Sequence, residues 1–302
     1  MAELLVVGSV ALDSIRTPFG EAADVLGGSA TYFAYAASFF TQVRLVAVVG
    51  ADFPGSHLDL LARRRVDLAG LQVSSGETFR WAGEYGYDLN EAKTVDTRLG
   101  VFADFRPALP SHFRTTPFLF LANIDPELQL DVLRKVERPK LIALDTMNFW
   151  IQGKREALQR VLAEVDAVVI NDTEARMLAQ EPNLIKAARA ILGYGPKTVV
   201  VKRGEYGALM ATDGRFFFAP AFPLESVFDP TGAGDTFAGG FMGCLARAGT
   251  MDEASFRRAI VYGSVMASFT VEDFSLSRLL RLEASEIEER YRGFREMMHF
   301  EH

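Results

Sequence analysis

The sequence predicts an α/β fold: a three-layer α/β/α, doubly wound, mostly parallel sheet with a small β-hairpin lid. Three observations predict it. Short apolar runs recur along the chain, and each ends in a polar residue. A helical stretch follows each run, and continuous apolar strands separated by helices belong to parallel sheets buried on both faces. One further segment alternates with period two and stands outside that pattern.

Leu4–Gly8 is the first apolar run. It lacks a basic leader and Asp13 follows closely, so it reads as a strand and not as a signal peptide. Gly27-Gly28 then precedes a helical SATYFAYAAS, and Leu45–Val49 runs into Gly50-Ala51-Asp52. From Thr78 to Leu89 the odd positions are Phe79, Trp81, Gly83, Tyr85, Tyr87 and Leu89, one largely aromatic face. Asp88–Lys93 reads as a turn and Thr94–Val101 alternates again, which makes a hairpin outside the main sheet, suited to cover a site or a second subunit. Phe118–Ala122 ends in Asn123, Leu141–Leu144 in Asp145, Ala167–Ile170 in Asn171, and Val199–Val201 in Lys202-Arg203-Gly204. Ligands of open α/β sheets bind outside the carboxyl ends of the strands, so these polar residues mark a site before any motif does. Glu283–Met298 reads as a charged surface helix. No repeat, linker or composition break divides residues 1–302, which are expected to form one domain.

The 302 residues are 49% hydrophobic and 24% charged, with net charge −7. An acidic chain is a poor partner for nucleic acid, and no run of eighteen apolar residues offers a membrane span. The single cysteine, Cys244, suits a reducing cytoplasm and sits in an apolar helical stretch as a core residue. His57, His112, His299 and His302 form no zinc-spaced set.

The chemistry concentrates in Asp229-Pro230-Thr231-Gly232-Ala233-Gly234-Asp235-Thr236, followed by FAGGFMGCLARAG. Small residues let backbone N–H groups converge on an anion, and the following helix aims its positive end at the same point. Phosphoryl transfer needs that geometry. Asp235 stands at the helix start, where the terminus favours its ionised form and where it can accept a proton from an attacking hydroxyl. Gly239, Gly240 and Gly243 give the helix a small packing face. Neither a Walker A loop nor a G-x-G-x-x-G after the first strand occurs, which argues against P-loop enzymes and dinucleotide oxidoreductases.

This segment resembles the C-terminal signature of the ribokinase/PfkB carbohydrate kinases, D-T-x-G-A-G-D, with Pro230 where Thr is common. Four more elements resemble the family in the same order: Gly27-Gly28, Val49-Gly50-Ala51-Asp52-Phe53-Pro54-Gly55, Asn171-Asp172-Thr173-Glu174, and Val201-Lys202-Arg203-Gly204-Glu205-Tyr206-Gly207. The resemblance covers essentially the whole chain. It implies a ribokinase-like fold whose β lid is inserted at about 14–24 and 76–106. It implies transfer of the ATP γ-phosphoryl to a hydroxyl of a sugar or sugar derivative. Asp235 would be the base, and the backbone of Gly232, Ala233 and Gly234 the anion hole. Asn171 and Glu174 would organise magnesium, through water, and the ATP phosphates, with Lys202, Gly204 and Gly207 along the nucleotide. Asp13 and Gly28 would hold substrate hydroxyls. Tyr32 stands where many relatives have Asn, and with the aromatic hairpin it keeps a nucleoside substrate in view. Asp229 and Thr231 retain part of a potassium-site pattern, while Ser268–Ser275 lacks the glycine common in potassium-binding relatives. A homodimer through the lid is compatible with the aromatic face. The other class of reading is a binding protein of this fold that has lost catalysis; the intact Gly232–Asp235 loop with Asn171 and Glu174 argues against it.

Overall fold

The computed structural model describes residues 3–299, so His302 lies outside the described residues. Among the described residues thirteen strands form two sheets. They are β1 (Glu3–Val7), β2 (Ala11–Thr17), β3 (Gly20–Gly27), β4 (Gln42–Gly50), β5 (Asp67–Ser74), β6 (Arg80–Tyr85) and β7 (Ala92–Arg98). After them come β8 (Phe118–Leu121), β9 (Leu141–Leu144), β10 (Ala167–Asn171), β11 (Thr198–Lys202), β12 (Ala208–Thr212) and β13 (Arg215–Ala219).

The large sheet has the order β13-β12-β11-β10-β9-β8-β1-β4-β5. The strands from β11 to β5 pair in parallel, and β12 and β13 add an antiparallel edge. The chain winds outward from β1 through β4 to β5, then restarts at β8 and winds the other way. The switch point between β1 and β8 is where such sheets open a crevice. Alternation within the strands explains the three layers. Leu4 and Val6 join the core on one face, and Leu5 and Val7 the core on the other; Phe118 and Phe120 separate from Leu119 and Leu121 in the same way. Burying each such side chain stabilises by about 1.5–3 kcal/mol, so a sheet covered on both faces needs no disulfide. Cys244 is buried, as its apolar setting suggested.

Helices Ser29–Ala37, Ala233–Ala248 and Glu253–Thr270 stack closely on one face. Glycine allows it: a Cβ on Gly239 would lie 2.4 Å from the Phe33 carbonyl oxygen, and one on Gly240 would lie 2.8 Å from that of Tyr262.

The small sheet has the order β3-β2-β6-β7. Its strands come from 11–27 and 80–98, wider at the first insertion and narrower at the second than the expected 14–24 and 76–106. The 78–89 alternation ends as a strand at Tyr85, and the turn comes earlier than Asp88–Lys93. The Asp88 carboxylate accepts from the backbone N–H and the side-chain amide of Asn90, both at 3.0 Å, which closes the turn there. The parallel register sets Asp13 beside Trp81 and Ile15 beside Gly83, so these residues share one face. The Val49–Gly55 element anchors this sheet. Asp52 accepts from the backbone N–H and hydroxyl of Thr78, each at 2.7 Å, and pairs with Arg80 at 3.0 Å.

Candidate active site

The Asp229–Asp235 loop is held from both sides. Asp229 is buried; its Oδ1 accepts from the Thr231 N–H at 2.8 Å and its Oδ2 from the Ser275 N–H at 3.1 Å. Gly232 adopts φ +73, and a Cβ there would stand 2.4 Å from the Tyr32 ring. Tyr32 therefore backs the loop. It is only 1% exposed. The Ala233 N–H donates to the Pro230 carbonyl at 3.1 Å. Of the three amides expected in an anion hole, this one serves the turn instead. The Gly234 N–H lies in the first helical turn, where amides have no carbonyl partner within the helix.

Beneath the loop lies a cluster that the motifs did not foretell in full. Lys202, ending β11, has its Nζ 3.1 Å from Asp145 Oδ2, beyond the end of β9. The same Nζ would be 3.0 Å from a Cβ on Gly234, so the ammonium sits directly under the anion loop. Burial works against that charge, but Asp145, Glu174 and Asp235 outweigh it and hold the Lys202 pKa above the ordinary lysine value. Asp145 carries no motif; its signal was its place after an apolar run. Burial raises its pKa against the pull of Lys202. Asp235 is pushed up to about 7, first by burial and then by Asp145, with Lys202 opposing. The helix terminus alone would have kept this carboxyl low; desolvation and a neighbouring carboxylate win. Glu174 is likewise raised to about 7 by burial and Asp145.

Asn171 and Glu174 form a reciprocal cap: each backbone N–H donates to the other's side chain at 2.8 Å. Asn171 Oδ1 is thereby occupied, while Glu174 still faces the carboxylate cluster. Among the described residues no group of three or more His, Cys, Asp or Glu side chains is arranged to hold a metal ion. Asp145 and Glu174 carry the oxygen donors that magnesium prefers, and that ion keeps several waters.

On the small-sheet side, Asp13 is buried against the bare Cα of Gly27, where a Cβ would fall 1.9 Å from its carboxylate. Burial raises Asp13 to about 7 against the pull of the Gly28 N–H, with Asp229 and Asp235 adding to the rise. Gly28, at φ +94, caps the Ser29–Ala37 helix, and a Cβ there would meet the Ser9 carbonyl at 2.6 Å. The indole of Trp81 lies across Gly83, whose missing Cβ would be 2.0 Å from it. Tyr85 reaches the loop itself and accepts from the Thr231 hydroxyl at 3.2 Å.

On the far side of Gly234 opens a cavity of about 980 Å³. Lys202, Gly204, Gly207, Phe222, Gly234 and Val271 are among its walls. Gly207, at φ +82, lets its turn press onto the Ala219 carbonyl, which a Cβ would meet at 2.0 Å. The arrangement joins a nucleotide-sized cavity, an anion loop with a cation beneath it, and a carboxyl able to take up a proton near neutrality.

The sequence profile of the pfkB family of carbohydrate kinases matches residues 1–280. The chain belongs to this family. It is 32% identical to the cytidine kinase of Thermococcus kodakarensis over 259 residues, which is 84% of this chain and 92% of that protein. The crystal structure of the Methanocaldococcus jannaschii nucleoside kinase superposes with TM-score 0.77 at 20% identity, covering 97% of this chain and 99% of that one. A putative ribokinase II from E. coli, solved with ATP and Mg²⁺, gives TM-score 0.79 at 19% identity, covering 97% and 100%. These structures share the ribokinase fold with this PfkB kinase, as the sequence led us to expect. No helix among the described residues is long and apolar enough to cross a membrane.

Proposed function

We propose that this PfkB kinase transfers the γ-phosphoryl of ATP to a hydroxyl of a nucleoside, with Asp235 as the base. The observation that carries the acceptor class is Trp81. Its indole lies across Gly83, on the face of the small sheet that also bears Asp13. A flat aromatic surface beside a buried carboxyl suits a molecule with a planar base and a hydroxylated sugar. A free sugar needs only the polar half. The likeness to a cytidine kinase supports the same choice.

In this reading the acceptor oxygen attacks the γ-phosphorus while its proton passes to Asp235. The new O–P bond forms, the bond to the bridging oxygen of ADP breaks, and the electron pair leaves with ADP. Lys202 and the Gly234 amide hold the charge that gathers on the transferred group. Glu174, with Asp145 beside it, would hold magnesium through water, and the ion would neutralise the phosphates. The small sheet acts as a lid: Tyr85 meets Thr231 and keeps water from the loop. Asp229 and Thr231 would share a monovalent cation, although both Asp229 oxygens already accept backbone N–H groups; rates in potassium and in tetramethylammonium decide that part. β7 is exposed along its whole length, and it is the edge through which two copies would pair. Light scattering that gives a monomer removes the dimer. The lone buried Cys244 suits a reducing cytoplasm.

The test is ADP release from ATP and magnesium over a panel of cytidine, uridine, adenosine, inosine, ribose and fructose. Turnover with nucleosides is expected. Turnover confined to ribose or fructose would overturn the acceptor class, and silence across the panel with ATP bound would favour an inactive relative. Asp235→Asn is expected to keep nucleotide binding and lose about 10²–10⁴-fold in kcat, the usual worth of a positioned base.

A further inference from the structure

We propose that the turn between β6 and β7 is part of the nucleotide site, and that Tyr87 packs its ring on the bound nucleotide. This rests on reading the 980 Å³ cavity as the ATP site. Nothing in the family signature points to the turn; three features of the fold do. First, Tyr87, Asp88, Leu89 and Asn90 wall the same cavity as Lys202 and Gly234. Second, the turn rests on the nucleotide-side strand end itself: a Cβ on Gly204, which has φ +52, would lie 1.9 Å from Asn90 Oδ1. Third, Tyr87 is 90% exposed, more than any other large apolar side chain among the described residues.

An aromatic ring left open at the mouth of a ligand cavity has hydrophobic area to bury and a π-face to offer. A nucleobase has both as well, and stacking needs no matching hydrogen bonds. The turn is shaped before any ligand arrives, because Asp88 ties Asn90 twice at 3.0 Å. Less order then has to be imposed on binding. The consequence reaches the acceptor. The same hairpin carries Trp81 and Tyr85, so one element touches both substrates, and binding at its tip favours the position that closes its base over the other.

The experiment is calorimetric titration of the full chain with ADP and magnesium, without acceptor. It compares wild type, Tyr87→Ala, and Val95→Ala on the exposed strand of the same hairpin. Both side chains are exposed, so folding is not at stake. Tyr87→Ala is expected to weaken ADP about 5-fold or more, the worth of one base–aromatic stack, and Val95→Ala to leave it unchanged. Equal ADP affinity in wild type and Tyr87→Ala overturns the contact. Equal weakening in both variants overturns it too, since the hairpin would then matter only as a whole. Wild type that fails to bind ADP overturns instead the reading of the cavity on which the proposal stands.

Discussion

At the scale of single residues, the proposed chemistry turns on Lys202, which the sequence marked only as a nucleotide contact. Its ammonium, 3.1 Å from Asp145, stands directly under Gly234 of the loop. Lys202→Met should lower kcat about 10²–10³-fold, as loss of one preorganised charge-stabilising group does. A purely structural lysine would not move the pH profile, and this one should. Lys202 lowers both Asp235 and Glu174, each of which stands at about 7. The acidic limb of kcat/KM in the wild type should therefore fall near neutrality, with activity rising as the base loses its proton; in Lys202→Met that limb should move upward. The limb belongs to the coupled cluster and not to Asp235 alone. An unmoved profile would reduce Lys202 to a packing role. Asp235 was legible in the sequence because a helix start, small residues and a carboxyl are local features. Asp145 was legible only as a strand end, because its partner lies 57 residues away and no spacing rule links strand ends.

At the scale of elements, the hairpin shows where pattern reading stops. Period-two alternation identified the aromatic face, and the register with β2 places that face beside Asp13. What the face touches was beyond reach: Tyr85 meets Thr231 across 146 residues of sequence. The turn boundary also slipped, since Asp88 closes its own loop where alternation alone would have extended the strand. Tyr85→Phe tests the element. It deletes the acceptor of the Thr231 hydroxyl and leaves the ring, so the hairpin keeps its packing. A hydrogen bond of ordinary net strength, about 0.5–1.5 kcal/mol, should raise the acceptor KM by about 2- to 12-fold. Acceptor-free ATP hydrolysis should rise with it, as the loop opens to water. Unchanged KM and unchanged hydrolysis would mean that the hairpin is held by other contacts.

At the scale of the whole molecule, the strand-end crevice gathers acidic groups that folding alone would not choose. Asp13, Glu174 and Asp235 are each raised to about 7, foremost by burial. A carboxyl whose folded pKa lies above its unfolded value binds more protons when folded. Its contribution to stability is intact below the unfolded value near 4 and is lost as pH rises to the folded value near 7. The ligand-free chain should therefore lose stability between about pH 4 and 7 and then level off. Asp235→Asn removes one of these groups with little change of shape. Its melting temperature should exceed that of the wild type by about 3 °C or more at pH 8, since a kinase-sized domain shifts about 2–4 °C per kcal/mol. The gain should shrink steadily as pH falls toward 4. A variant that loses turnover and gains stability progressively as pH rises from about 4 to 7 would show that the base is held at a cost to the fold. Equal melting curves at pH 8 would mean that Asp235 is solvated well enough to ionise freely, and the neutral limb of the rate profile would then have to come from Glu174.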